Sequence, residues 1–145
     1  MTSEKTILAF GTFDLFHQGH YYFFSSINEF IKTNTHHSYK LIVCLYSSAI
    51  SYSKNGYLPI DSYNLRKKVL SCIPYISEIV YIDKPIQCYL ETLKPDIIAI
   101  GFNQDYIKEY LENNYSKLAL LSVQGYNTDL YITSDLRTRK YVQNK

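Results

Sequence analysis

The feature that most constrains the fold is a short apolar run, Ile7-Leu8-Ala9-Phe10, followed at once by Gly11-Thr12-Phe13-Asp14-Leu15-Phe16-His17-Gln18-Gly19-His20. An apolar run of this kind reads as a buried strand, and a glycine at its end lets the chain turn where a Cβ would obstruct. His17 and His20 are three residues apart and therefore share a face on a helix or helical turn. A strand feeding a helix through a tight turn aims the unpaired N–H groups of the first helical turn outward, where an anion can accept them. Gly19 keeps the approach open, and Asp14 can accept hydrogen bonds from a ligand or from its own turn. A single histidine at a helix start is more often a cap or a surface residue. Two of them in His-x-Gly-His spacing behind Gly-Thr-Phe-Asp suit a reacting phosphate.

The rest of the chain repeats the alternation. Thr6–Phe10, Leu41–Tyr46, Ile79–Ile82, Asp96–Ile100 and Leu118–Ser122 are short, rich in Ile, Val or Leu, and predicted to be strands covered on both faces. Helix-period stripes lie between them: Phe23, Phe24, Ile27, Phe30 and Ile31, then Leu65, Val69, Cys72 and Ile73. Ile86, Leu90 and Leu93 form a third, and Ile107, Tyr110, Leu111 and Asn114 a weaker fourth. Asp61 and Ser62 are both candidate N-caps for the second helix, Asp105 for the last. Right-handed crossovers then give an α/β, doubly wound, five-stranded parallel sheet in the order 3-2-1-4-5 with helices on both faces. Ligands bind such sheets outside the carboxyl ends of the strands, where strand order reverses. That point lies directly over Gly11–His20.

Composition narrows the function classes. With 145 residues the chain is expected to be one domain, 1–145. A net charge of +2 without a basic stripe argues against a nucleic-acid surface. No apolar run approaches the length of a membrane span, and Met1–Lys5 runs into a strand without a signal peptide, so a cytoplasmic protein is expected. Cys44, Cys72 and Cys88 each sit in apolar sequence and read as small hydrophobes, not as a disulfide framework or a zinc site. The 16 tyrosines read mainly as half-buried packing residues with wet hydroxyls. His36 and His37 fall in a polar loop.

Gly-Thr-Phe-Asp-Leu-Phe-His-Gln-Gly-His resembles the motif of the cytidylyltransferase-like nucleotidyltransferases. These include glycerol-3-phosphate cytidylyltransferases and archaeal-type FAD synthetases, and they share a small Rossmann-like domain. The resemblance implies that Gly11, Thr12, Phe13, Asp14, His17, Gly19 and His20 receive the nucleotide, with His17 and His20 donating to the α-phosphate. Lys54 matches the family's Lys-Gly segment, and Ala49 departs from an acidic residue there. Lys54 can meet a phosphate as a mobile charge, or it is a solvated loop lysine; both readings stand. Ser62-Tyr63-Asn64-Leu65-Arg66 is similar to a segment whose arginine faces the phosphates, which would make Arg66 a bidentate phosphate ligand. Lys94-Pro95-Asp96 through Gly101-Phe102-Asn103-Gln104-Asp105 resembles the base and ribose segment, implicating Gly101 and Asn103, the latter in place of an aspartate. Thr133 and Ser134 match a phosphate-binding hydroxyl turn; Thr128 stands where cytidylyltransferases carry arginine.

The activity implied is transfer of a nucleoside monophosphate from CTP to a small phosphorylated alcohol of the glycerol-3-phosphate type, with release of pyrophosphate. Mg²⁺ would accompany the nucleotide, Asp14 being the nearest supporting carboxylate, with no metal site on the protein. The alternatives are an adenylyltransferase making FAD from FMN and ATP, and a non-catalytic nucleotide-binding module. A purely structural domain leaves the paired histidines unexplained. Homodimers are common in the family, and nothing in the chain fixes the oligomeric state.

Overall fold

A computed structural model describes residues 3–125 of the chain. In order it contains β1 (Glu4–Gly11), α1 (Gln18–Thr33), β2 (Ser38–Tyr46), α2 (Ser48–Asn55), α3 (Tyr63–Leu70), β3 (Glu78–Ile82), α4 (Ile86–Leu93), β4 (Ile97–Ile100), α5 (Asp105–Asn114) and β5 (Ala119–Ser122). The five strands form one sheet in the order β3-β2-β1-β4-β5, and every pairing is parallel. This is the expected Rossmann-like, doubly wound arrangement.

Strand alternation sorts the core into two layers. Ile7, Ala9, Leu41, Val43 and Leu45 point to one face, against Phe23, Phe24 and Ile27 of α1 and Leu70 of α3. Leu8, Phe10, Ile42, Cys44 and Tyr46 point to the other, against Leu90 of α4 and Ile107 and Leu111 of α5. Period-two side chains on central strands buried from both sides produce the near-continuous apolar runs seen in the sequence.

Four local expectations change. The segment after β2 is a helix, not a loop: Ser47 caps α2 through its Oγ, and Gly56 closes it in the left-handed conformation at φ 80°. The second stripe has the wrong phase. Leu65 is 46% exposed and Cys72 is exposed, whereas Arg66 and Leu70 are buried, so α3 turns a guanidinium inward where an aliphatic face was expected. Cys88 is exposed as well, leaving Cys44 as the buried thiol. Of the two candidate caps, Ser62 caps α3, while Asp61 contributes its backbone. The N-cap of α5 is Gln104, not Asp105, which lies in the first turn; the Gln104 side chain is committed elsewhere and makes no capping bond. Among the described residues no helix is long and apolar enough to cross a membrane.

Candidate active site

The connection from β1 to α1 is strained and heavily braced. Phe13 (φ 51°) and Leu15 (φ 47°) both lie in the left-handed region without being glycines, a conformation that persists only when its surroundings enforce it. Asp14 supplies much of that enforcement. Its side chain is 3% exposed, and its carboxylate accepts the backbone N–H groups of Leu15 (3.1 Å), Ile60 (2.9 Å) and Asp61 (2.9 Å). The Phe13 ring packs on Phe24 and against the edge of His20. Gly11 is required here by contact, since a Cβ on it would meet the Phe13 ring at 2.8 Å.

His17 is the N-cap of α1, and its Nδ1 accepts the N–H of Gly19 at 3.0 Å. His20 returns the arrangement: its Nδ1 accepts the N–H of His17 at 3.3 Å. The two histidines thus form the reciprocal capping pair usually made by Ser or Thr with Glu or Gln. Their rings stack with centroids 3.8 Å apart and planes 23° from parallel. Because each Nδ1 is an acceptor, each neutral ring carries its proton on Nε2. Burial holds both below the ordinary imidazole range. His20, with His17 beside it, is lowered to about 3. Both rings are therefore neutral donors at physiological pH.

These residues border a cavity of about 250 Å³ at the carboxyl ends of the strands. Gly11, Thr12, Phe13 and Asp14 form its floor with His17, Gly19 and His20 beside them. Gly101 and Asn103 border it from the β4–α5 connection, and Lys54 from the last turn of α2. The Lys54 ammonium lies over the rings of Tyr46 (5.1 Å to the centroid) and Tyr106 (5.6 Å), and burial draws its pKa down. Thr133 and Ser134, with Thr128, lie outside the described residues.

Arg66 requires a correction. It is 1% exposed and does not border the cavity. Its Nη1 donates to the carbonyls of Thr12 and Tyr46 (both 2.9 Å), its Nε to the carbonyl of Asp61 (3.2 Å), and its Nη2 to Ser48 Oγ (3.3 Å). The guanidinium grips protein carbonyls beneath the site instead of substrate oxygens. Asp14 is likewise occupied with backbone amides, and no cluster of three or more His, Cys, Asp or Glu able to hold a metal occurs among the described residues. These side chains do not fit a protein-held Mg²⁺.

Two contributors escaped the sequence. The Gln104 amide donates to the Phe10 carbonyl and accepts the Gly101 N–H, each at 2.8 Å, bridging the ends of β1 and β4 under the cavity. Tyr46, Tyr57, Phe102 and Tyr106 add four aromatic side chains to the lining of the cavity. The signal for Gln104 is its position in Gly-Phe-Asn-Gln; the tyrosines carry none, being lost among the 16.

The cytidylyltransferase-like family profile matches residues 8–140. The chain belongs to that family. It is a nucleotidyltransferase. It is 32% identical over 113 residues to the FAD synthase of Pyrococcus horikoshii, covering 76% of this chain and 71% of that protein. It is 28% identical over 146 residues to the FAD synthase of Thermococcus sibiricus, covering 94% and 93%. Among solved structures, a lipopolysaccharide core biosynthesis protein from Thermoplasma volcanium superposes with a TM-score of 0.69 at 22% identity, over 85% of this chain and 98% of that one. That last likeness shows the shared fold.

Proposed function

We propose that this nucleotidyltransferase adenylates FMN, forming FAD and pyrophosphate from FMN and ATP. The observation that carries nucleotidyl transfer is the pair of neutral, Nε2-protonated imidazoles stacked at the start of α1 beside the glycine turn. The choice of ATP and FMN over CTP and a small phosphorylated alcohol is supported by relatives named FAD synthase. The aromatic lining, which suits a flat ring better than glycerol phosphate, points the same way.

A phosphate oxygen of FMN attacks the α-phosphorus of ATP in line. The new P–O bond forms as the bond to the bridging α–β oxygen breaks, and that electron pair leaves with pyrophosphate. The attacking phosphate is already an anion near neutral pH, so no general base is required. The protein's work is positioning and charge stabilisation. His17 and His20 donate from Nε2 to phosphate oxygens as negative charge builds, without giving up their protons. The amino end of α1 adds its dipole. Lys54, on a flexible stem, reaches the acceptor or leaving phosphate. Gly101 and Asn103 accommodate the nucleoside, and Thr133 and Ser134 supply hydroxyls to its phosphates.

Pyrophosphate release from ATP and from CTP, each offered with FMN and with glycerol 3-phosphate, tests the reading. Turnover is expected with ATP and FMN, and FAD is identified by its chromatographic mobility. Turnover only with CTP and glycerol 3-phosphate overturns the substrate assignment. Nucleotide binding without pyrophosphate release for any acceptor favours the non-catalytic module, which Ala49 and Asn103 motivate.

A further inference from the structure

Tyr46 closes β2. It is 2% exposed, and among the described residues its hydroxyl finds no hydrogen-bond partner. A buried donor left unpaired weakens the fold, and phenylalanine would fill the same space without that cost. Packing alone therefore does not account for the hydroxyl. Burial, with Tyr106 and Cys44 adding to it, pushes the phenol pKa well above its ordinary value, so the group remains a donor across the physiological range.

Over the Tyr46 ring lies a side chain able to move. The Lys54 ammonium rests over the Tyr46 and Tyr106 rings, and all three residues border the cavity that holds His17 and His20. A cation over aromatic faces is held modestly, and a phosphate competes for it on better terms. The Lys54 stem projects from the last turn of α2, so its head can swing from the rings to an arriving anion without backbone movement. Doing so frees the ring faces that the ammonium occupies.

We propose that Tyr46 determines acceptor specificity: a flat heteroaromatic ring displaces the Lys54 ammonium from the Tyr46 ring, the Tyr46 hydroxyl donates to one of its carbonyl or ring-nitrogen acceptors, and the displaced ammonium takes up the acceptor's phosphate where there is one. Lys54 recognises the anion and Tyr46 the ring. This rests on FMN being the acceptor. It goes further in dividing recognition of one ligand between two residues that touch each other in this structure.

The division is read by fluorescence quenching of FMN and of riboflavin, which lacks the phosphate, on the full chain without ATP. Tyr46→Phe is expected to weaken both flavins by about tenfold, the scale of one lost hydrogen bond, with a melting temperature no lower than that of the parent. Lys54→Met is expected to weaken FMN and leave riboflavin unchanged. Equal affinity of Tyr46→Phe and the parent for both flavins overturns the proposal, and so does weakening of FMN alone, which places the hydroxyl at the phosphate. A drop of several degrees in the melting temperature of Tyr46→Phe overturns it too, by showing that the phenol serves the fold. If the parent makes FAD while Tyr46→Phe is unaffected, this inference fails alone. If the parent makes no FAD and binds no flavin, the assignment of FMN fails and takes this one with it.

Discussion

The backbone N–H of His17 donates to Nδ1 of His20, while Nδ1 of His17 receives the N–H of Gly19, so the helix end and the two imidazoles fix each other's orientation. The same two nitrogens that satisfy the helix also set the tautomer of the rings. Structure and chemistry are coupled at this point, and single substitutions can separate them.

His17→Asn keeps a side chain that can cap α1 but removes the Nε2 donor. It is expected to retain the parent's melting temperature within a few degrees. Turnover should fall by roughly 10²–10³, the effect of losing one transition-state donor, about 3–4 kcal/mol. His17→Ala should lose turnover equally and about 1 kcal/mol of stability as well, since the cap goes too. Urea unfolding alongside steady-state rates checks both; an unimpaired rate in His17→Asn removes the imidazole from the chemistry.

His20 gives stability a pH dependence of known sign. Its pKa is lowered from 6.5 to about 3, so between those values the unfolded chain binds a proton that the folded ring refuses. Stability is therefore fully present above pH 6.5 and declines as pH falls towards about 3, by at most about 1.4 kcal/mol per unit. His17 acts in the same direction. His20→Gln, which keeps an acceptor for the His17 N–H, is expected to flatten the decline. Urea midpoints at several pH values from 7.5 down to 5 measure it, and an unchanged slope refutes the neutral, buried ring.

Arg66 serves the frame, and its replacement separates that role from phosphate binding. Arg66→Lys leaves at least some of the carbonyls of Thr12, Tyr46 and Asp61 without donors in a buried site. A loss of about 3 kcal/mol of stability is expected. A variant of normal stability that binds ATP poorly would restore the arginine to the substrate.

Gln104→Glu preserves shape while reversing one polarity. It keeps an acceptor for the Gly101 N–H but sets an oxygen against the Phe10 carbonyl, where the amide donates at 2.8 Å. About 1–3 kcal/mol should be lost at neutral pH. Part should return, relative to the parent, as the carboxyl protonates on acidification. Thermal melts at pH 7.5 and pH 5 compare the two.

The sheet order was legible because apolar runs on doubly covered strands and helix-period stripes obey simple periods, and Gly11 to His20 marked the point where the order reverses. The cavity's histidine side was legible for the same reason. That the two rings cap the helix as well as face the cavity was not, because nothing local distinguishes a capping histidine from a donor. The phase of α3 was hidden because a long charged side chain reads as surface, whereas Arg66 is inside with the carbonyls of Thr12 and Tyr46, both distant in sequence, and of nearby Asp61. Long-range polar contacts of this kind leave no period. The helix α2 was missed because Ser48–Asn55 is mostly polar, with one buried residue, Ser51, which meets Thr12.

The oxygens that Arg66 holds at positions 12, 46 and 61 all belong to the main chain. A peptide carbonyl is offered by every amino acid, so the letters at these positions can be rewritten while the rim stays clamped. Tyr46 is one of them. Diversification of what the pocket accepts is thereby uncoupled from the scaffold that shapes it, and a change of client molecule requires no second, compensating substitution in the frame.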